Sequence, residues 1–176
     1  MFKYLIEEIK KMEGNVIALG IDDKLINSLK KNKKINAFEI SKSDRISFFQ
    51  RKKRKLENSG KKINIKKLRK YFKKDSIKYI ICDYEQITRY YKHVFKDSIY
   101  ISKGIIYFYA SNDIDMEYVY KYKRYHSNIE IRKYDKTTLI IIDNKNAKTN
   151  IIKNIWFMIC DTITNFIDFI SNIIVG

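Results

Sequence analysis

Val16-Ile17-Ala18-Leu19-Gly20-Ile21-Asp22, with Ile35-Asn36-Ala37-Phe38-Glu39-Ile40-Ser41 further along, decides the fold. The first stretch is a short apolar run closed by a glycine, which predicts a buried strand over 16–21. A helical pattern follows it, with Leu25, Ile26 and Leu29 on the inner face, Asp22 or Asp23 as the cap, and Asn32 as the stop. The second stretch is another apolar run, a strand over 35–40 that carries an acid near its end. Strand, glycine turn, helix, strand, acid is the order in which open α/β sheets place a ligand at the carboxyl ends of parallel strands.

Toward the N-terminus, Phe2, Leu5, Ile6, Ile9 and Met12 recur at helical spacing, and Gly14-Asn15 closes that helix. Glu7 and Glu8 interrupt its apolar residues, so it does not read as a signal peptide. From Ser43 onward the pattern is helical and basic. Ile46, Phe48, Phe49 and Leu56 supply apolar contacts around the cationic run Arg51-Lys52-Lys53-Arg54-Lys55. Asn58-Ser59-Gly60 reads as a loop, and Ile65, Leu68 and Phe72 mark a further helix. A third buried strand covers 77–82 and runs into Asp83-Tyr84-Glu85. A tyrosine-rich helix follows over 87–95, then Gly104 and a fourth strand over 105–110. Ser111-Asn112-Asp113 caps a helix over 114–125. Two strands, 129–132 and 138–142, then form a hairpin around Asp135-Lys136.

The chain has 176 residues, enough for one domain with a real core, and its 45% hydrophobic and 14% aromatic composition argues against disorder. Its formal net charge is +17. Such a balance points to an anionic partner, whether nucleic acid, an anionic membrane or a phosphorylated substrate. An AT-rich coding sequence accounts for the same lysines equally well, since the chain is also rich in Ile, Asn and Tyr and has no Pro. Cys82 and Cys160 lie in apolar runs and read as small buried hydrophobes in a reducing, cytoplasmic setting. His93 and His126 have no cysteine near them, and no metal site is expected.

Strand–helix units followed by a terminal hairpin resemble the class I S-adenosylmethionine-dependent methyltransferases over about residues 1–146. The implied fold is α/β: a Rossmann-like, mostly parallel sheet with a C-terminal antiparallel hairpin. In that resemblance Val16-Ile17-Ala18-Leu19-Gly20 matches the family's first motif, a strand ending in a glycine turn under the methionine part of the cofactor. The family's next glycines fall on Asp22 and Lys24, and the acid usual within the strand falls on Ala18. Glu39 matches the acid that binds the ribose hydroxyls, since two carboxylate oxygens accept both hydrogen bonds of a vicinal diol. Asp83 lies where the family places catalytic or adenine-side residues, though Asp83-Tyr84-Glu85 is not the Asn/Asp-Pro-Pro-Tyr form of some amino-methylating members. The resemblance thus implies S-adenosylmethionine as cofactor, with Gly20, Asp22, Glu39 and Asp83 around it. Asp83 and Glu85 become the candidates to position or deprotonate a methyl acceptor. From the residues alone, Gly20 equally makes an ordinary strand–helix turn. Asp22 equally serves as a helix cap, Glu39 as a solvated strand end, and Asp83 as a partner for a lysine.

Arg51, Lys52, Lys53, Arg54 and Lys55 are the candidate nucleic-acid contacts, with RNA preferred to DNA because no DNA-reading motif is present. Tyr71, Phe72, Tyr84, Tyr90 and Tyr91 offer faces on which bases stack, although helical spacing assigns Phe72 to the core and tyrosines equally serve packing. Residues 147–176 form a separate C-terminal amphipathic helix. Ile152, Ile155, Trp156, Ile159, Ile163, Phe166, Ile167, Ile170, Ile173 and Ile174 make its apolar stripe, opposite Asn154, Asp161, Asn165, Asp168 and Asn172. No apolar run there approaches the roughly 20 residues of a membrane span. Three uses of the stripe follow: packing back on the sheet, a homodimer seam, or peripheral contact with a membrane surface.

Overall fold

The computed structural model describes residues 1–40, 45–49, 57–62, 65–85, 91–111, 119–120, 122–123, 128–145, 156, 159–160, 162–163 and 166–167. Two compact units divide the chain: Met1–Asp115 with Ile129–Lys145, and Met116–Asn128 with Asn146–Gly176. The first unit is an α/β sheet structure. Its strands are β1 (Gly14–Leu19), β2 (Ile35–Ile40), β3 (Arg45–Phe49), β4 (Glu57–Lys62), β5 (Ile77–Asp83), β6 (Ser102–Ser111), β7 (Ile129–Lys133) and β8 (Thr137–Asp143). They form one sheet in the order β4-β3-β2-β1-β5-β6-β8-β7. The four central strands β2, β1, β5 and β6 run parallel. Antiparallel hairpins flank them on both sides, β3–β4 against β2 and β7–β8 against β6.

Helices α1 (Phe2–Lys11) and α2 (Asp23–Lys31) cover one face. There Leu5, Ile9, Leu25 and Leu29 pack with Val16, Ala18, Ala37, Ile81, Tyr107 and Leu139 in one buried cluster. Asn32 ties the two helices together. Its side-chain amide donates to the carbonyls of Ile9 (2.6 Å) and Met12 (2.9 Å), so the residue that stops α2 also caps α1. The 3₁₀ segment Ile65–Lys70 and helix α3 (Tyr91–Ile101) are associated with the opposite face. Phe72 meets Phe38 edge-on at 5.4 Å, and Phe95 stacks on Phe108 at 5.4 Å. Apolar residues on both faces explain why β1 and β5 read as unbroken apolar runs rather than alternating ones.

Several sequence expectations are corrected. The basic stretch expected to be helical from Ser43 contains strand β3, whose Ile46, Phe48 and Phe49 are good strand formers paired with β2. Asn58-Ser59-Gly60, read as a loop, lies within β4. That strand is at the sheet edge, where turn-type residues cost less because only one neighbour must be satisfied. The helix expected through Ile65, Leu68 and Phe72 is a short 3₁₀ turn broken at Lys67 (φ −136°, ψ 48°). The first strand stops at Leu19 rather than Ile21. Helix α3 continues to Ile101 instead of ending at residue 95, and β6 begins before Gly104 rather than after it. The hairpin around Asp135-Lys136 forms as expected, closed by the Tyr134 amide on the Thr137 carbonyl at 2.8 Å. Residues 112–118 lie outside those described, while 119–120 and 122–123 are helical.

Among the described residues no helix is long and apolar enough to cross a membrane. At the described positions of the last segment, Trp156, Ile159, Ile163, Phe166 and Ile167 are exposed.

Candidate functional site

Because β2, β1, β5 and β6 are parallel, their carboxyl ends lie on one edge of the sheet. Register places Leu19 opposite Ile40 and Cys82, and Asp83 opposite Tyr109. The chain passes from β1 to β2 on one side and returns to β5 on the other. This reversal makes the carboxyl edge beside β1 a switch point, where the crevice of an open α/β sheet receives ligands.

Gly20 leaves β1 with φ +59°, a left-handed conformation that side chains with a Cβ adopt only at a cost. Its amide donates to the Ile40 carbonyl at 2.9 Å, so the turn is fastened to the end of β2. Asp22 is the N-cap of α2, and its carboxylate accepts the Lys24 amide at 2.8 Å. Asp22 and Lys24, which stand where the methyltransferase motif has glycine, are both exposed.

Glu39 stands opposite Ala18, one residue before the end of β2, and is half-buried. Loss of water lifts its carboxyl above the ordinary value of 4.5, Lys30 pulls it back, and the Asp23 charge adds to the rise. A carboxyl raised in the fold holds its proton more tightly than in the unfolded chain. Its contribution to stability is therefore best at acid pH and declines as pH rises from 4.5 through the folded value. At neutral pH, leaving Glu39 ionised costs the fold stability.

Asp83 and Glu85 have structural partners. The Asp83 carboxylate accepts the Glu85 amide at 3.0 Å, and the Glu85 carboxylate accepts the Ser111 amide at 2.7 Å. The second bond ties the carboxyl end of β5 to that of β6. Burial raises the Cys82 thiol well above its usual range, and the neighbouring Asp83 charge adds to the effect, so Cys82 is inert as a nucleophile at neutral pH.

Tyr109 is the residue that sequence reasoning missed. It is 5% exposed, and its phenol oxygen accepts the Asp22 amide at 3.2 Å. Phe2 packs edge-on against its ring at 5.8 Å. Burial, then the Asp83 charge, hold its hydroxyl above the usual tyrosine range, so it stays protonated. Since β5 stands between β1 and β6, this bond carries the turn after β1 across the end of β5. The only sequence signal was parity, because 105, 107 and 109 share one face of the fourth strand.

The structure thus brings Gly20, Asp22, Glu39 and Asp83 to one edge of the sheet and adds Tyr109, with Glu85 at its rim. Arg51, Lys52, Lys53, Arg54 and Lys55 lie outside the described residues. Among the described residues no group of His, Cys, Asp and Glu is arranged to hold a metal ion. Compared with protein-family models and with curated proteins, the chain matches none of either, so its functional reading rests on this geometry.

Proposed function

We propose that the first unit is a Rossmann-like, methyltransferase-type sheet that binds S-adenosylmethionine over Gly20 and Glu39 and acts on a nucleic-acid or other anionic substrate. The observation that carries this reading is a half-buried carboxylate at the end of β2, beside a left-handed glycine at the end of β1, at the switch point of a parallel sheet. The antiparallel insertion of β8 between β6 and β7 supports the same fold, because the methyltransferase sheet inserts its last strand in that way.

The residues fit an adenosyl group. Glu39 offers two acceptor oxygens for a ribose diol. The Gly20 turn lets the backbone approach the ligand closely, and the capping and exposed side chains of Asp22 and Lys24 are not buried in it. When bound, the cofactor supplies a methyl group already activated by its sulfonium, so the protein has chiefly to align the acceptor and exclude water. In this reading Asp83, at the end of β5, orients the acceptor, and Tyr109 holds the turn in place as a neutral hydroxyl.

The test is Glu39→Gln, which keeps the shape and removes the charge. It is expected to raise the melting temperature at pH 7 by about 1–3 °C, because the cost of ionising a half-buried carboxyl disappears. It is also expected to weaken S-adenosylhomocysteine binding about 10- to 100-fold, the loss of one charge-assisted hydrogen bond. Calorimetry and thermal melts read both effects. Wild-type protein that gives neither heat nor a thermal shift at millimolar ligand would sink cofactor binding.

One observation favours a second reading, a non-enzymatic relative that binds RNA or an anionic partner. Asp22, Asp83 and Glu85 each accept a backbone amide, so all three carboxylates serve to hold the turns and strand ends that carry them. We also read residues 147–176 as one amphipathic helix. Its described positions are helical, and Trp156, Ile159, Ile163, Phe166 and Ile167 are exposed while Cys160 is half-buried. The 176-residue chain is expected to self-associate or to sediment with anionic vesicles, and a chain ending at residue 146 to do neither. A 176-residue monomer that stays off vesicles would leave the stripe a packing role only.

A further inference from the structure

We infer that the surface built by residues 69–74 and the end of α3 binds single-stranded nucleic acid, with Tyr71 and Tyr100 as base-stacking platforms. The inference places the polyanion contact of the readings above on the fold, and it does not require a bound cofactor.

The tertiary structure creates this surface. Arg69 pairs through Nε with the buried Asp97 carboxylate of α3, and the same carboxylate accepts the Arg69 amide at 3.3 Å. The Arg69 guanidinium also donates to the Lys96 carbonyl at 3.3 Å and lies 4.5 Å from the centre of the Tyr100 ring. The Asp75 amide donates to the Tyr100 carbonyl at 3.3 Å, so the segment from 69 to 75 runs alongside the end of α3. Arg69 is therefore committed to holding Tyr100, and Lys70, Lys73 and Lys74, all exposed, supply the charge for phosphates.

Two features separate this surface from an ordinary lysine-rich face. Residues 65–74 contain no acid and Asp75 directly follows them, so these cations meet one acid in sequence, at the end of their segment. Among the residues of the first unit whose side chains are described, the large exposed aromatics are Tyr71 at 37% and Tyr100 at 39% exposure, and both lie here. Coding bias multiplies lysines and tyrosines but does not seat an exposed tyrosine ring on an arginine that a buried carboxylate holds. A ring held from one side by a fixed guanidinium loses little freedom when a base stacks on it, which favours stacking. By contrast, the aromatics Phe72 and Tyr84, which also suggested stacking in the sequence, are buried at 8% and 1% exposure.

Fluorescence titration of the full chain with a uridine 12-mer tests the proposal, with heparin as a base-free polyanion. Wild-type binding is expected to weaken with salt at a log–log slope of about −2, the value for three phosphate contacts on a single strand. Tyr71→Ala and Tyr100→Ala are each expected to weaken the 12-mer about 5- to 50-fold and to leave heparin binding unchanged. Tyr100→Phe, which keeps the ring, is expected to bind as wild type and controls for the fold. Equal losses for heparin and the 12-mer, or 12-mer binding untouched by either alanine, would overturn this surface. Wild-type protein that binds no 12-mer would overturn the nucleic-acid surface, and one that binds neither the 12-mer, heparin nor anionic vesicles would remove the polyanion reading altogether. Losses seen only on phosphatidylserine vesicles would reassign the surface to lipid.

Discussion

Gly104→Ala is expected to lower the stability of the first unit by about 3 kcal/mol, a fall of roughly 6–12 °C in melting temperature for a chain of this size. A Cβ at Gly104 would stand 1.8 Å from the Lys78 carbonyl oxygen and 2.8 Å from its carbon. Both are backbone atoms of the neighbouring strand, so no flexible side chain yields. Strands β5 and β6 must separate there, close to the register shift between Ile77 and Tyr79. The same place anchors the end of the sheet: the Gly104 carbonyl accepts the Asn144 amide at 2.8 Å, and the Asn144 side chain donates to the carbonyls of Ile99 and Ser102. A thermal melt of the variant within 2 °C of wild type would show that β5 and β6 are not in this contact.

Phe108→Ala is expected to cost about 3–5 kcal/mol. Phe108 is fully buried, stacked on Phe95 at 5.4 Å and edge-on to Tyr84 at 6.4 Å. Truncation removes the aromatic contacts of α3 and leaves a cavity that a helix on a sheet closes only in part. A domain with a total stability near 5–15 kcal/mol is then marginal. Urea unfolding should show a lower midpoint with an unchanged slope. A loss under 1 kcal/mol would mean that α3 does not pack on this face. Because Phe108 pairs with Cys82 next to Asp83, the variant should also loosen the candidate site.

The part of the site legible in the sequence is the part made by near neighbours. Gly20, the Asp22 cap and the end of β2 follow from residues 16–40, because a cap bond spans two residues and a buried strand is marked by its own apolar run. The terminal hairpin was legible for the same reason. The stretch from residue 43 to 62 was not. Its lysines and Asn58-Ser59-Gly60 are weak strand formers and good loop formers, and β3 gains its order from pairing with β2 and β4 from pairing with β3. In sequence Asp83 and Glu85 were candidates to position or deprotonate an acceptor, with a lysine as the other partner for Asp83. The amides that occupy them come from Glu85 and Ser111, and the second is visible only once β5 lies beside β6.

By itself, then, the sequence determined the α/β class, the strand–glycine–helix–strand unit and the acid at its end, since local propensity and short-range hydrogen bonds suffice for these. The tertiary structure decided the flanking β3–β4 hairpin, the Tyr109 hydroxyl on the Asp22 amide, and Arg69 against Asp97 and Tyr100. Each of these joins groups from separate elements, across 87 residues in the case of Tyr109. Such contacts form only after burial of both sheet faces has offset the entropy of closing the intervening chain, and no local pattern records them.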